Sequence, residues 1–340
     1  MGNPPLAAAA ELFQIEEASL TSLRGGNFAN VHGFTRGGQD WVLRLLPPSD
    51  DTELRGQQAI LAWMDHLAKN GASVPAPMRS RNGRLVEPIT TPEGVWLALV
   101  FSRAPGILAE ELPIDEWKDE HFQLLGRTLG KMHALAVNHT PPSGYERPGW
   151  NKSGNLFNHA IDPALPGHER KQSRFLEHLS GLPKPADAYG MIHADFHFAN
   201  FFIDKGTGTV TPIDFDDCTL GWFIMDLAVL IFDAMVNFDG QQREEFARLF
   251  TENFLLGYAQ EKAISLFWLE QIPMLLKLLE INVYSVVYKS FELGKGDTWV
   301  NKFMPGRKES IENETPYISL DFGRIWEQIH SGTATTIPAR

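Results

Sequence analysis

The sequence predicts an α+β fold in two lobes, a small β-rich N-terminal lobe and a larger, mainly helical C-terminal lobe. Three observations carry that expectation. The first hundred residues set short, apolar, β-prone runs around one helical pattern. Past a Pro/Gly connector at 102–107, apolar residues recur at spacings of three and four. Inside this helical half sit two strand-like runs joined by a tight turn. The expected divisions are 1–101 for the N-terminal lobe, 102–330 for the C-terminal lobe and 331–340 for a flexible tail without core residues.

The elements follow in order. The stretch "NFANVHGFTRGGQDWVLRLL" reads as two strands turning at Gly37-Gly38. Residues 53–69 read as a helix with Ile60, Leu61, Met64, Leu67 and Ala68 on one face, ended by Asn70-Gly71. "GRLVEPI" and "VWLALVF" are two further strands around Pro92-Glu93-Gly94. Phe122, Leu125, Leu129, Met132 and Ala136 mark a buried helix stripe, which core packing alone explains. "FFID" (201–204) and "TVTPID" (209–214) flank Lys205–Gly208 as a hairpin. Helices are then expected near 222–236, 241–260 and 264–292.

Composition narrows the function. A net charge of −12 argues against nucleic acid as a main partner; it tolerates or favours a cationic substrate, although solubility is the simpler account. Cys218 is the only cysteine, so no intrachain disulfide forms, and a reducing cytoplasm is expected. No apolar run approaches the ~20 residues of a membrane span. The start lacks the basic segment and apolar core of a signal peptide. A monomer or homodimer is expected.

The chemistry concentrates in "MIHADFHFANFFIDKGTGTVTPIDFDD", residues 191–217. The hairpin would set Asn200 opposite Asp214, with Asp195 one short loop earlier. Oxygen donors in that arrangement suit a hard cation such as Mg²⁺, which keeps further positions for water and phosphate oxygens. Two other readings stand beside this one. His193, Asp195 and His197 alternate, so on a strand they would share a face as metal ligands of a hydrolase. The same side chains also serve as ordinary turn caps.

The order His193-x-Asp195-x₄-Asn200, a turn and then Asp214 resembles the kinase catalytic loop and its metal-binding aspartate. With "HADFHFAN", "IDFDD" and "GWFIMDLA", the chain resembles the aminoglycoside phosphotransferase, choline kinase and type II homoserine kinase superfamily, over most of residues 20–300. The resemblance implies a bilobal protein-kinase-like fold and transfer of a phosphoryl group from ATP, with Mg²⁺, to a hydroxyl of a small molecule. It implies Asp195 as catalytic base and Asn200 and Asp214 as metal ligands. His193, and in the same way His197, would brace the loop. Asp226 is either the buried acid tying a helix start to that loop or an ordinary helix-terminal carboxylate. Asp216 and Asp217 either help with metal or substrate or, more simply, are acidic surface positions. The nucleotide would meet Gly25, Gly26, Asn27 and Asn30 of the glycine segment, Arg44, and Val100 and Phe101 within 99–104, whose backbone groups would face adenine, although Leu45 and Val100 equally read as plain core.

The chain departs from the family pattern in three places. The glycine segment is "LRGGNFANVHGF", not G-x-G-x-x-G. Arg44 stands where a lysine is usual; a guanidinium forks onto phosphate oxygens. No acid stands at the expected height on the following helix, where the sequence runs Gln57-Gln58-Ala59-Ile60. That gap keeps a nucleotide-binding pseudokinase in view, and the resemblance leaves a Ser/Thr protein kinase beside it, since a branch of the superfamily acts on proteins. For the acceptor, Trp150, Asn151, Glu280, Asn282 and Tyr284 are candidate contacts, each of which packing also explains.

Overall fold

The computed structural model describes residues 4–23, 30–113, 116–144, 147–152, 154–237, 243–288 and 298–331. Gly25, Gly26 and Asn27, and the tail from 332, lie outside them. The chain divides into two compact units. One comprises Met1–Gly106, His139–Arg147 and Thr211–Asp216; the other comprises Ile107–Asn138, Pro148–Val210 and Asp217–Arg340.

The first unit is built on an antiparallel sheet in the order β1-β2-β3-β5-β4. Its strands are β1 (Thr21–Ser22), β2 (Val31–Arg36), β3 (Gln39–Leu46), β4 (Val86–Thr91) and β5 (Gly94–Ser102). Gly37 and Gly38 turn the β2–β3 hairpin at φ 62° and 78°, a left-handed conformation that costs glycine little. A helix not foreseen from sequence, α1 (Leu6–Phe13), lays Ala9, Ala10 and Phe13 on Phe34, Leu43, Leu45, Trp96 and Val100. Truncating Phe13 to alanine would empty that contact at a cost of about 3–5 kcal/mol. Helix α2 (Asp51–Lys69) is capped by Asp50, whose carboxylate accepts from Thr52 N at 2.8 Å and Glu53 N at 2.9 Å. It buries Ile60, Leu61, Met64 and Leu67 of the stripe read from its spacing, and Trp63 with them, while Ala68 is half-buried.

The second unit is mainly helical. It contains β6 (Ile107–Leu108), α3 (Asp119–Ala136), α4 (Pro166–Ser180), β7 (Tyr189–Ile192) and β8 (Phe201–Asp204). After β9 (Thr209–Pro212), whose second half falls in the first unit, follow β10 (Thr219–Trp222), α5 (Phe223–Asn237) and α6 (Arg243–Ala259). The chain continues through α7 (Leu266–Leu269), α8 (Ile272–Tyr288), α9 (Thr298–Phe303), α10 (Arg307–Glu312) and α11 (Phe322–Ser331). The single helix expected near 264–292 is thus two. Pro273 has no N–H to extend α7, but it fits the first turn of α8. Helices α3 and α6 pack in close backbone contact. A Cβ on Gly126 would lie 2.0 Å from the Phe254 carbonyl oxygen, and one on Gly257 would lie 2.0 Å from that of Gln123. Among the described residues no helix is long and apolar enough to cross a membrane.

Candidate active site

In the second unit, β7 pairs antiparallel with β10, and Ile192 faces Thr219. From the end of β7 the chain enters residues 193–197, a loop and not a strand. Ala194 takes a left-handed φ of 66°, which an alanine adopts only where neighbours hold it. The alternation of His193, Asp195 and His197 therefore does not put them on one face, and the reading as a strand-borne metal cluster loses its geometric basis. Among the described residues no group of three or more His, Cys, Asp or Glu is arranged to hold a metal.

Helix α5 clamps this loop at both ends. Asp226, fully buried in its first turn, accepts from His193 N at 2.8 Å and from Ala194 N at 2.7 Å. Its third partner is His133 Nε2 at 3.0 Å, and His133 Nδ1 lies 3.0 Å from the Tyr258 hydroxyl. Burial pushes His133 down, with Asp226 opposing. The neutral ring that burial favours donates from Nε2 to Asp226 and accepts from Tyr258. Of the two readings of Asp226, the structure shows the buried tie. Two turns along α5, Asp233 accepts from Phe198 N at 2.9 Å and from Trp299 Nε1 at 2.6 Å. Burial raises Asp233, and the charge of His197 and these donors oppose it. Sequence reading missed Asp233. Its signal was an aspartate seven residues after Asp226, on the same face of an otherwise apolar helix.

Between the clamps, Asn200 Nδ2 donates to Asp195 Oδ2 at 2.7 Å and to the Asp195 carbonyl at 3.0 Å. His197 Nε2 lies 3.4 Å from Asp195 Oδ2. Burial works to raise Asp195, but the hydrogen bond and charge of His197, with His193 and Asn200, hold its carboxyl below the ordinary value. Burial likewise opposes the charge on His197, and Asp195, Asp233 and Glu110 overcome it, raising the imidazole to about 9. Because its amide nitrogen faces Asp195, Asn200 presents its oxygen on the other side, the donor atom a hard cation needs.

Asp195 and His197 open onto a cavity of about 340 Å³ inside this unit, walled by Phe198, Phe232 and Trp299 and carrying Glu110 and Asp233. None of the five proposed acceptor contacts lines it; α8 contributes Val283. Trp150 packs on Trp222 at 5.3 Å between ring centroids, and Asn151 is exposed. Glu280 is fully buried, taking Lys277 and, at 3.1 Å, Arg307 Nη1. Asn282 accepts from Gln172 and donates to the Leu156 carbonyl, and Tyr284 packs beside His168.

The first unit holds the other expected residues. Arg44 lies mid-strand in β3, paired with Val31 on β2 and Leu99 on β5. Asn30 precedes β2, and its carbonyl accepts from Leu45 N at 2.9 Å. Val100 and Leu45 sit in the hydrophobic cluster, and the Val100 carbonyl accepts from Met78 N at 2.8 Å, so the core alternative describes both. Phe101, half-buried, pairs with Val42. Asp214 is exposed with φ 57°, a region aspartate tolerates better than most residues. Arg44 Nη1 donates to Asp216 Oδ1 at 3.1 Å and Nη2 to Oδ2, so its carboxylate partner comes from the "IDFDD" segment and not from α2.

Residues 21–263 match the model of a family described as the phosphotransferase enzyme family. The chain is 30% identical over 275 residues to the amicoumacin kinase of Bacillus subtilis (strain 168), covering 78% of this chain and 79% of that one. It superimposes with a TM-score of 0.78 on an amicoumacin kinase solved with AMP-PNP, Ca²⁺ and Ami, at 27% identity over 94% of this chain and 96% of the other. A microcompartment-associated aminopropanol kinase aligns at TM-score 0.68 and 20% identity, over 95% and 98% of the two chains, a likeness of fold.

Proposed function

The chain belongs to the phosphotransferase enzyme family, is a kinase of protein-kinase-like fold, and, we propose, moves the γ-phosphoryl group of ATP, with Mg²⁺, to a hydroxyl of a small molecule carrying an amine. The single observation behind this reading is Asp195, held by Asn200 and His197 in a loop clamped by Asp226 and Asp233, and facing a cavity.

Asp195 receives the acceptor hydroxyl, aligns it and takes its proton as the new O–P bond forms and the bond from the γ-phosphorus to the bridging oxygen breaks, releasing ADP. A carboxylate held below its usual value stays ionised for that role at neutral pH. Asn200 and Asp214 would hold the divalent cation, whose charge offsets that of the phosphates; both offer oxygen, which suits a hard ion. Arg44 would fork onto phosphate oxygens. Three carboxyl groups, Glu110, Asp195 and Asp233, outnumber the imidazolium of His197 around the cavity, and Trp299, Phe198 and Phe232 offer aromatic surface, a combination that favours an ammonium group. The likeness to amicoumacin kinases supports a small-molecule acceptor. The pseudokinase alternative drew on the missing acid of α2, and Asp216 now supplies a carboxylate to Arg44.

The test is ADP release in the presence of Mg-ATP over a panel of amino alcohols, hydroxy amino acids, sugars and aminoglycosides. Turnover is expected with amine-bearing alcohols. Turnover confined to uncharged alcohols would overturn the amine assignment, and Mg-ATP binding without turnover on any member would favour the pseudokinase.

A further inference from the structure

A cation meant for phosphate oxygens needs its own orientation fixed. Arginine carries a large side-chain entropy, and a planar partner that grips both Nη groups removes much of that freedom before the ligand arrives. In the first unit, Arg44 has such a partner. Asp216, 172 residues further along the chain, accepts from Nη1 at 3.1 Å on one oxygen and from Nη2 on the other. The two side chains are 11% and 28% exposed, so solvent screens this pair less than a surface pair.

Asp216 is itself held. Gln57 Nε2 on α2 lies 3.5 Å from Asp216 Oδ1 and donates to Glu53 at 3.1 Å. Arg147 Nη2 donates to the Asp216 carbonyl at 2.6 Å. Gly56 leaves Arg147 its place, since a Cβ there would lie 3.3 Å from Arg147 Nη1. So α2, which offers no carboxylate toward Arg44, offers an amide that steadies one arriving from another part of the chain.

We propose that Asp216 is a positioning residue of the nucleotide site, setting the plane of the Arg44 guanidinium for phosphate, with Gln57 and Arg147 holding Asp216 in register. This rests on the reading of Arg44 as the phosphate anchor. A carboxylate that merely stood in for phosphate would have to leave when nucleotide arrives, and one anchored on its side chain and on its main chain is built to stay.

The experiment is isothermal titration of Mg-ATP into wild type, Arg44→Ala, Asp216→Asn, the Arg44→Ala/Asp216→Asn pair and Gln57→Glu/Asp216→Asn, with thermal unfolding of each. Asp216→Asn is expected to weaken Mg-ATP roughly tenfold, and the paired variant to bind no worse than Arg44→Ala, because residues acting as a unit do not add. Gln57→Glu, which returns a carboxylate from the helix side, is expected to recover most of the loss. A purely structural pair would lower the melting temperature of Asp216→Asn and leave Mg-ATP affinity unchanged, which overturns the proposal. Tighter binding by Asp216→Asn overturns it in favour of a phosphate stand-in, and independent, multiplying losses in the paired variant also overturn it. Should Asp216→Asn fail to fold, Asp216→Glu and the Gln57→Glu pair carry the same comparison. Wild type that binds no Mg-ATP would instead refute the phosphotransferase reading beneath it.

Discussion

The carboxylate of Asp226 receives the main-chain N–H of Ala194 at 2.7 Å, one residue before Asp195. That bond, with the parallel one from His193, holds Ala194 at φ 66° and so fixes the direction in which Asp195 leaves the backbone. Asp226→Asn would exchange an acceptor oxygen for an NH₂ group facing an N–H donor, in a fully buried place. The expected loss is about 3 kcal/mol of unfolding free energy, read from urea denaturation, with phosphorylation falling alongside. A midpoint like that of wild type would show that the loop holds its shape without the clamp.

Asp195→Asn keeps the shape of the side chain and its place beside Asn200 but removes the base. Acceptor phosphorylation at saturating Mg-ATP is expected to fall about 10²–10⁴-fold, with Mg-ATP affinity nearly unchanged. A variant that keeps most of its activity would remove Asp195 from the chemistry.

Asp214→Ala removes a proposed direct ligand of the cation. Titration with Mg-ATP is expected to show a clear loss of affinity. Equal affinities for the variant and wild type would sink the metal assignment.

Burial, and then the neighbouring His66, push His139 down to about 4. Its ring lies 4.7 Å from Trp63 and 4.9 Å from His66, both on α2. The folded protein therefore holds His139 neutral where the unfolded chain, titrating near 6.5, already binds a proton. Its contribution is whole above pH 6.5 and is lost as pH falls toward 4, with a slope of at most about 1.4 kcal/mol per pH unit. Denaturant midpoints measured from pH 7 to 4.5 should fall more steeply for wild type than for His139→Gln. Parallel curves would refute the assignment.

Gly126→Ala would drive a methyl group into the Phe254 carbonyl at the α3–α6 contact. The helices would have to part, at a cost of about 1–3 kcal/mol or more. Gly167→Ala, with nothing within 4 Å of the added carbon, is the control, and both are read by thermal unfolding.

Much of the site is legible in the chain because its chemistry is local. The order His193, Asp195, Asn200 and Asp214 spans 22 residues, and the hairpin strands, the α2 stripe and the Gly37-Gly38 turn follow from periodicity and turn chemistry. The short helix α1 was missed because its run of alanines gives little periodic contrast, and its burial comes from the sheet it covers.

The sequence by itself determined the class of chemistry and the identity of the residues in the loop, since spacing along a backbone decides which side chains enter a turn together. Only the tertiary structure decided their partners. Asp216 rather than a helix acid meets Arg44, Asp226 and Asp233 tie the loop from two turns of α5, and Val283 rather than Glu280 or Tyr284 lines the cavity beside Asp195. The physical reason is the same in each case. A residue one step along a helix points about 100° away, and a partner 172 residues distant is chosen by how the elements pack, which neither spacing nor composition records.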